Sequence, residues 1–330
     1  MKHKIFKLII VGLVLSSLTG CVQGTMDIAV TNYPLEFLVN RIAGDRVNVL
    51  RLDNGAVAQR AQMVTNYEEV LDVADVIFYI SEAQPYFELY EPELNAVTDK
   101  MFDLSQYSKL YDFRRYQNIT IGGVTTTIEG PYYDTKLINQ NDLYVSDPIL
   151  WIDPIAMTSM GRSILDYLVG KYPEQSSYFN DNFEKLEIEL VTLYSEYLSL
   201  RNVDNQVSFV SLTPTFGNWQ KSYGINVYPL SLSKNGVLPD EKLLSVMRER
   251  IQADGVEYIV FENNLPADYV MLFNQIKTEL DLTQINLHNL YTLSNEDLAN
   301  NEDYISLMYQ NLDTLMALGE STDEEEIDNP

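Results

Sequence analysis

The sequence predicts an α/β protein of two βα lobes joined by one long backbone helix, and three observations carry that expectation. Short apolar strands alternate with amphipathic helices through the first hundred residues after the N-terminal segment. The same alternation returns beyond residue 205. Between them Phe179, Phe183, Leu186, Leu190, Leu193, Tyr197 and Leu200 recur at intervals of three and four. Strand–helix–strand order at this spacing implies parallel sheets with right-handed crossovers. The stripe from Glu174 to Leu200 implies a single amphipathic helix, which at a rise of about 1.5 Å per residue reaches roughly 40 Å and crosses a whole molecule.

The first lobe is expected over 26–155. Met26 to Thr31 reads as a short apolar strand. Pro34 to Ile42 reads as a helix with Leu35, Phe37, Leu38 and Ile42 on one face, stopped by Gly44 just past its end. Arg46 to Leu52 alternates as a strand. Asn66 to Val73 follows as a helix, with Thr65 as its cap and Glu68 completing a capping box. Val76 to Ile80 is continuously apolar, as a strand covered on both faces must be, and Pro85 to Val97 reads as another helix. Residues 104–145 differ, being rich in tyrosine and β-branched residues. Gly122-Gly123 there makes a hairpin turn between Asn118-Ile119-Thr120 and Thr125 to Ile128. This segment is expected as an insertion on the first lobe.

Helix resumes after Pro154, so 156–204 forms a helical connection that includes the spanning helix 174–200. The second lobe, 205–319, has strands at Val207 to Leu212, Val227 to Leu230, Val256 to Phe261 and Gln284 to Leu287. Its helices are Pro239 to Gln252, Pro266 to Leu280 and Glu302 to Leu318, the first two opened by a proline near N1. The tail 320–330, with Asp323, Glu324, Glu325, Glu326 and Asp328, lacks the apolar residues to fold and is expected to be disordered.

At the N-terminus, Lys2, Lys4 and Lys7 precede the apolar run Leu8 to Leu18. A membrane-spanning helix needs about 20 apolar residues, so 1–20 reads as a cleaved signal peptide. Its end, Leu18-Thr19-Gly20-Cys21, resembles the lipobox of bacterial lipoproteins. Lipid on Cys21, followed by a linker over 21–25, would hold the body on the outer face of the cell membrane, and a diacylated cysteine tethers more firmly than one acyl chain. Cys21 is the only cysteine, which excludes a disulfide framework.

Composition narrows the function. Lys and Arg number 22 against 48 Asp and Glu, for a net charge of −26. No basic surface survives to neutralise phosphates, so nucleic acid is excluded as a partner. Of 2 histidines, His3 leaves with the signal peptide and His288 remains, so a site built from several imidazoles or thiolates is impossible. A nucleophilic triad could draw only on His288, and Glu262 after its strand is only a weak catalytic candidate; the chain offers no glycine-rich phosphate loop after a strand and no EF-hand spacing for calcium. No catalytic residues and no cofactor are expected: the chain reads as a binding protein, not an enzyme.

Four short segments then resemble one family in the right order. They are Thr31-Asn32-Tyr33-Pro34-Leu35 with Gly44-Asp45-Arg46-Val47; Asp147-Pro148-Ile149-Leu150-Trp151-Ile152-Asp153-Pro154; Thr213-Pro214-Thr215-Phe216-Gly217; and Asp303 to Leu312. Behind a lipobox, this resembles the zinc and manganese solute-binding lipoproteins of ABC transporters. The resemblance implies a metal-type periplasmic-binding-protein fold, an ABC permease as partner, and a metal held between the lobes by histidines and a carboxylate. Carried over, those positions fall on Gln59 (after Gly55-Ala56-Val57-Ala58), Ile149, Thr213 and Tyr291. Zinc takes imidazole, thiolate or carboxylate; isoleucine offers no electron pair, amide and hydroxyl are weak neutral donors, and a phenol near a pKa of about 10 is a poor ligand. The family's His-rich loop is absent, its place taken by the tyrosine-rich segment.

The expectation is therefore no metal at these positions and a neutral cleft holding some other small ligand, with Trp151 and Glu262 as further lining residues. The alternative is a ligand-free scaffold or adhesin that meets a surface protein through Tyr107, Tyr111, Tyr116, Tyr132, Tyr133 and Tyr144, since tyrosine favours interfaces. A second alternative is a metal site rebuilt with Glu262, Glu296 or Asp297.

Overall fold

The computed structural model describes residues 25–320. The segment read as a signal peptide, Cys21 and the acidic run from residue 321 onward lie outside the described residues. No helix among the described residues is long and apolar enough to cross a membrane.

Two parallel four-stranded sheets organise the chain. In the first, β1 (Met26–Val30) pairs with β2 (Val47–Arg51) and β5 (Val76–Tyr79), and β5 pairs with β6 (Met101–Asp103), giving the order β2-β1-β5-β6. In the second, β9 (Ser208–Ser211) lies between β10 (Asn226–Pro229) and β11 (Tyr258–Glu262), and β12 (Thr283–Leu287) flanks β11. Ile28, Ala29, Val30, Ile77 and Phe78 are fully buried, as continuous apolar strands of a covered sheet must be. Two antiparallel pairs complete the strands: β3 (Asp53–Asn54) with β4 (Gln62–Met63), and the hairpin β7 (Arg115–Ile121) with β8 (Val124–Gly130).

Helix α1 (Tyr33–Ala43) is capped by the Asn32 side chain, which accepts from the Leu35 N–H, and ends on Gly44 at φ 56°. That positive φ is costly for a residue with a Cβ. Helix α4 (Pro154–Lys171) is capped by Asp153, and α5 (Ser176–Tyr197) packs on both α1 and α4. All seven stripe residues of the spanning segment are buried. The helix itself runs 22 residues between 3₁₀ turns at each end, or about 33 Å. It is tied to the first lobe by Asn182 Nδ2 on the Ile42 carbonyl and Arg41 on Glu189. Its far end meets α10 (Tyr304–Gly319), where the Tyr197 hydroxyl donates to the Met308 carbonyl at 2.7 Å.

Several local expectations are corrected. The helix expected over Pro85 to Val97 breaks into a 3₁₀ segment, Pro85–Tyr90, and α3 (Glu91–Ala96). Pro92 lies in the first turn of α3, where it lacks the N–H that would have carried the helix on from the preceding turn. Helix α2 (Tyr67–Val73) starts after Asn66 with no side-chain cap bond, so the Thr65–Glu68 capping box does not form. Asp240, not Pro239, caps α7 (Glu241–Ala253), and Pro266 is the cap residue of α8 (Ala267–Glu279) rather than its first helical residue. Two short helices have no sequence forecast: α6 (Gly217–Tyr223) and α9 (Asn295–Ala299).

The largest correction concerns the tyrosine-rich insertion, which beds on the second lobe. Phe113, Tyr132, Tyr133 and Tyr144 join the core formed by Val210, Leu212, Tyr228 and Leu230. Tyr133 donates to the Pro229 carbonyl, and Arg115 bridges the Tyr228 hydroxyl at 2.6 Å and Asp254 at 3.0 Å. Edge strand β10 needs cover on its free side, and this segment lies against it.

Candidate functional site at the lobe junction

Residues just beyond the carboxyl ends of both sheets touch one another, the place where open α/β sheets bind ligands. On the second-lobe side, Glu262 ends β11 and is fully buried. Its carboxylate accepts from the Thr213 hydroxyl at 2.9 Å, the Thr213 N–H at 3.3 Å and Asn289 Nδ2 at 3.2 Å. The Thr213 hydroxyl also meets Thr215 Oγ1 at 2.7 Å. Burial pushes the Glu262 carboxyl up to about 7, against the downward pull of Thr213 and Asn289.

On the first-lobe side the central group is Asp53, also buried. Arg51 donates to its Oδ1 at 3.0 Å and the Tyr86 hydroxyl to its Oδ2 at 3.0 Å. The Tyr291 hydroxyl, from the second lobe, makes a short hydrogen bond to the same Oδ2. Burial raises the Asp53 carboxyl and Arg51 opposes it; burial, then Asp53, drives the Tyr291 phenol well above its usual range. Tyr291 is therefore a neutral donor.

The loop 288–291, which follows β12, carries this junction. Asn289 Nδ2 reaches the Ala56 carbonyl at 3.2 Å, Trp151 Nε1 donates to the Asn289 carbonyl at 2.9 Å, and the Tyr33 N–H donates to the Tyr291 carbonyl at 3.1 Å. The rings of Trp151 and Tyr291 lie 5.7 Å apart between centroids. Ile149 is buried beside them; its N–H meets Asp147 Oδ1 at 3.0 Å and its carbonyl accepts from Asn218 at 2.8 Å.

Of the residues singled out from sequence, the structure links Tyr291 to Trp151 directly and Thr213 to Glu262 directly, with Asn289 joining the two pairs. Gln59 sits in a 3₁₀ turn, buried, with its amide nitrogen unpartnered. It borders a cavity of about 360 Å³ shared with Tyr86 and with Asn235 of the second lobe. The expected neutral cleft is corrected: Thr213, Ile149, Trp151, Tyr291 and Glu262 are each at most 2% exposed and meet protein, and the buried carboxyls of Glu262, Asp53 and Asp147 lie among or against them. Glu296 does not enter the junction network, and Asp297 is committed to capping α9 and to His288. Most of the tyrosines proposed for surface contact are core: Tyr116, Tyr132, Tyr133 and Tyr144 are buried, while Tyr107 is exposed. Sequence reasoning missed Asp53, Arg51, Tyr86 and Asn289. Only the i, i+2 spacing of opposite charges at Arg51 and Asp53 could have signalled a pair, and the structure places them at the end of β2 and the start of β3. Among the described residues no three His, Cys, Asp or Glu side chains are grouped to hold a metal ion.

The family model for zinc-uptake complex component A, periplasmic, matches residues 28–318. The zinc-binding lipoprotein AdcA of Streptococcus pneumoniae is 24% identical over 303 residues, which cover 92% of this chain and 57% of that relative. The chain thus spans about half the length of the curated relative it matches. The Zn(II)-bound crystal structure of AdcA from S. pneumoniae aligns with a TM-score of 0.67 and 21% identity, over 90% of this chain and 58% of that one. The crystal structure of ZnuA aligns at 0.69 and 16%, over 90% of this chain and 100% of that one. At such identities the structural likeness speaks to the fold, two parallel-sheet lobes on a long helix.

Proposed function

We propose that this chain, which belongs to the family of zinc-uptake complex component A, periplasmic, is an extracytoplasmic solute-binding lipoprotein whose family metal position no longer takes zinc. Its likeness to the zinc-binding lipoprotein AdcA of S. pneumoniae and the Cys21 lipobox support export and anchoring on the outer face of the membrane. An ABC permease is the partner this family membership favours.

The carrying observation is the fate of the four aligned positions. Gln59, Ile149, Thr213 and Tyr291 supply one amide, one alkyl group and two hydroxyls. The two hydroxyls are spent on Glu262 and Asp53 inside the junction. These donors do not fit a transition metal. Glu262 and Asp53 are each held by three or more hydrogen bonds from neighbouring groups, and releasing either carboxylate to a cation would strand its buried donors. A ligand of another kind has the cavity beside Gln59, where an unpartnered buried amide nitrogen asks for an acceptor such as a carbonyl or carboxylate oxygen.

A second reading, action through surface contacts, is favoured by the hairpin, where Ile121 and Val124 stand largely exposed at the tip. Titration calorimetry of chelator-stripped protein at pH 7 tests the main reading. A transport-grade zinc site contributes on the order of 10 kcal/mol, so the expected result is no one-to-one binding tighter than micromolar. Tight stoichiometric binding abolished by Thr213→Ala or Gln59→Ala would sink it.

A further inference from the structure

We propose that His288 is an acid-responsive clamp on the loop by which the second lobe grips the first, so that protonation of its ring loosens the junction. The inference does not depend on which solute, if any, the protein carries.

The ring is buried and both nitrogens are committed. Nδ1 accepts the Leu290 N–H at 2.9 Å, so it carries no proton, and Nε2, 3.2 Å from Asp297 Oδ2, carries the ring's one hydrogen. The main chain on either side is pinned as well. Asn311 of α10 accepts the His288 N–H at 2.7 Å and donates to the His288 carbonyl at 2.9 Å. Leu290 sits at φ 63°, a left-handed conformation that residues with a side chain avoid. The bond to Nδ1 is what holds its N–H in place.

Two side chains of this loop, Asn289 and Tyr291, reach across the lobe junction. Asn289 contacts the Ala56 carbonyl, and Tyr291 contacts Asp53 and the Tyr33 N–H. A second proton on the ring would go to Nδ1 and set two donors face to face. The Leu290 N–H must then turn away, the left-handed turn loses its hold, and Asn289 and Tyr291 shift with it.

The charged surroundings are few. From α9 comes Asp297; although burial opposes it, bonds from Ser294 and the ring keep its carboxyl below the usual range. From α10 comes the uncharged Asn311. Across the loop lies Glu262, bound to Asn289. Burial lowers the ring's own pKa, with Asp297 pulling it back up. The clamped state therefore binds fewer protons than the released one. The grip is complete above the ordinary histidine value of about 6.5 and is lost as pH falls through the lower, clamped value. Glu262 titrates with the opposite sign, since its raised pKa favours the closed junction in acid.

Amide hydrogen exchange on the full mature chain from pH 7.5 to 5, corrected for the intrinsic pH dependence of exchange, is the test, with the Tyr33 and Leu290 amides as reporters. Glu262→Gln removes the opposing titration, and in that background protection of both is expected to fall as pH drops across that range. Adding His288→Gln, which keeps a donor and an acceptor but cannot titrate, should abolish the fall. A flat Glu262→Gln variant, or a fall that survives in the double variant, overturns the proposal. Should the double variant fail to fold, the ring's titration followed by NMR in Glu262→Gln decides. Loss of Tyr33 protection must track that titration, and a mismatch of the two curves overturns the clamp equally.

Discussion

Replacing Tyr291 by Phe removes one oxygen from the junction and leaves its packing on Trp151 intact. The lost group is a neutral phenol donating to Asp53, a buried carboxylate that also receives Arg51 and Tyr86. A hydrogen bond to a charged group contributes about 1.5–3 kcal/mol, and the acceptor here stays buried with one donor fewer. Arg51 and Tyr86 still hold Asp53, which keeps the expected loss near the lower end, about 2 kcal/mol. Tyr86→Phe removes a bond of the same kind, but wholly within the first lobe. The two variants should therefore lose similar global stability in urea denaturation, while Tyr291→Phe alone increases exchange of the Tyr33 amide across the junction. A double-mutant cycle with Asp53→Asn should return a coupling above about 1 kcal/mol for Tyr291. Coupling under about 0.5 kcal/mol, or equal Tyr33 exchange in the two variants, would refute the view of Tyr291 as a latch between the lobes.

Two further outcomes are expected. Glu262 has its pKa raised from 4.5 to about 7, so its contribution is fully present below the unfolded value and is lost as pH rises through 7. Glu262→Gln should therefore gain stability relative to wild type at pH 8, by up to roughly 3 kcal/mol, and little at pH 5, as read from melting temperatures across that range; a pH-independent difference would contradict the assignment. Cys21→Ser should move the mature protein from the membrane to the soluble fraction, and a variant that still pellets after a salt wash would place the anchor elsewhere.

The sequence by itself determined the elements whose signal is local. The stripe from Phe179 to Leu200 recurs with the helical period, and every one of its members is buried where the pattern put it. Strands β1 and β5 announced themselves by continuous apolar residues, because a sheet covered on both faces has no polar side. The proposed loss of the zinc position also rests on sequence, since carrying the family's ligand positions onto Gln59, Ile149, Thr213 and Tyr291 is a statement about side-chain chemistry.

Tertiary structure alone decided the rest. Which sheet the tyrosine-rich segment covers follows from the free edge of β10, and periodicity within 104–145 carries no information about a strand a hundred residues away. The contact of Tyr291 with Asp53 joins positions 238 residues apart, and that of Asn289 with Ala56 joins positions 233 apart. A hydroxyl reads as a weak ligand or a surface group until the fold supplies its partner. Burial, which converts Glu262 from an ordinary acid into one that titrates near neutrality and His288 from a spare imidazole into a clamp, is set by what packs around a residue and not by its neighbours in the chain.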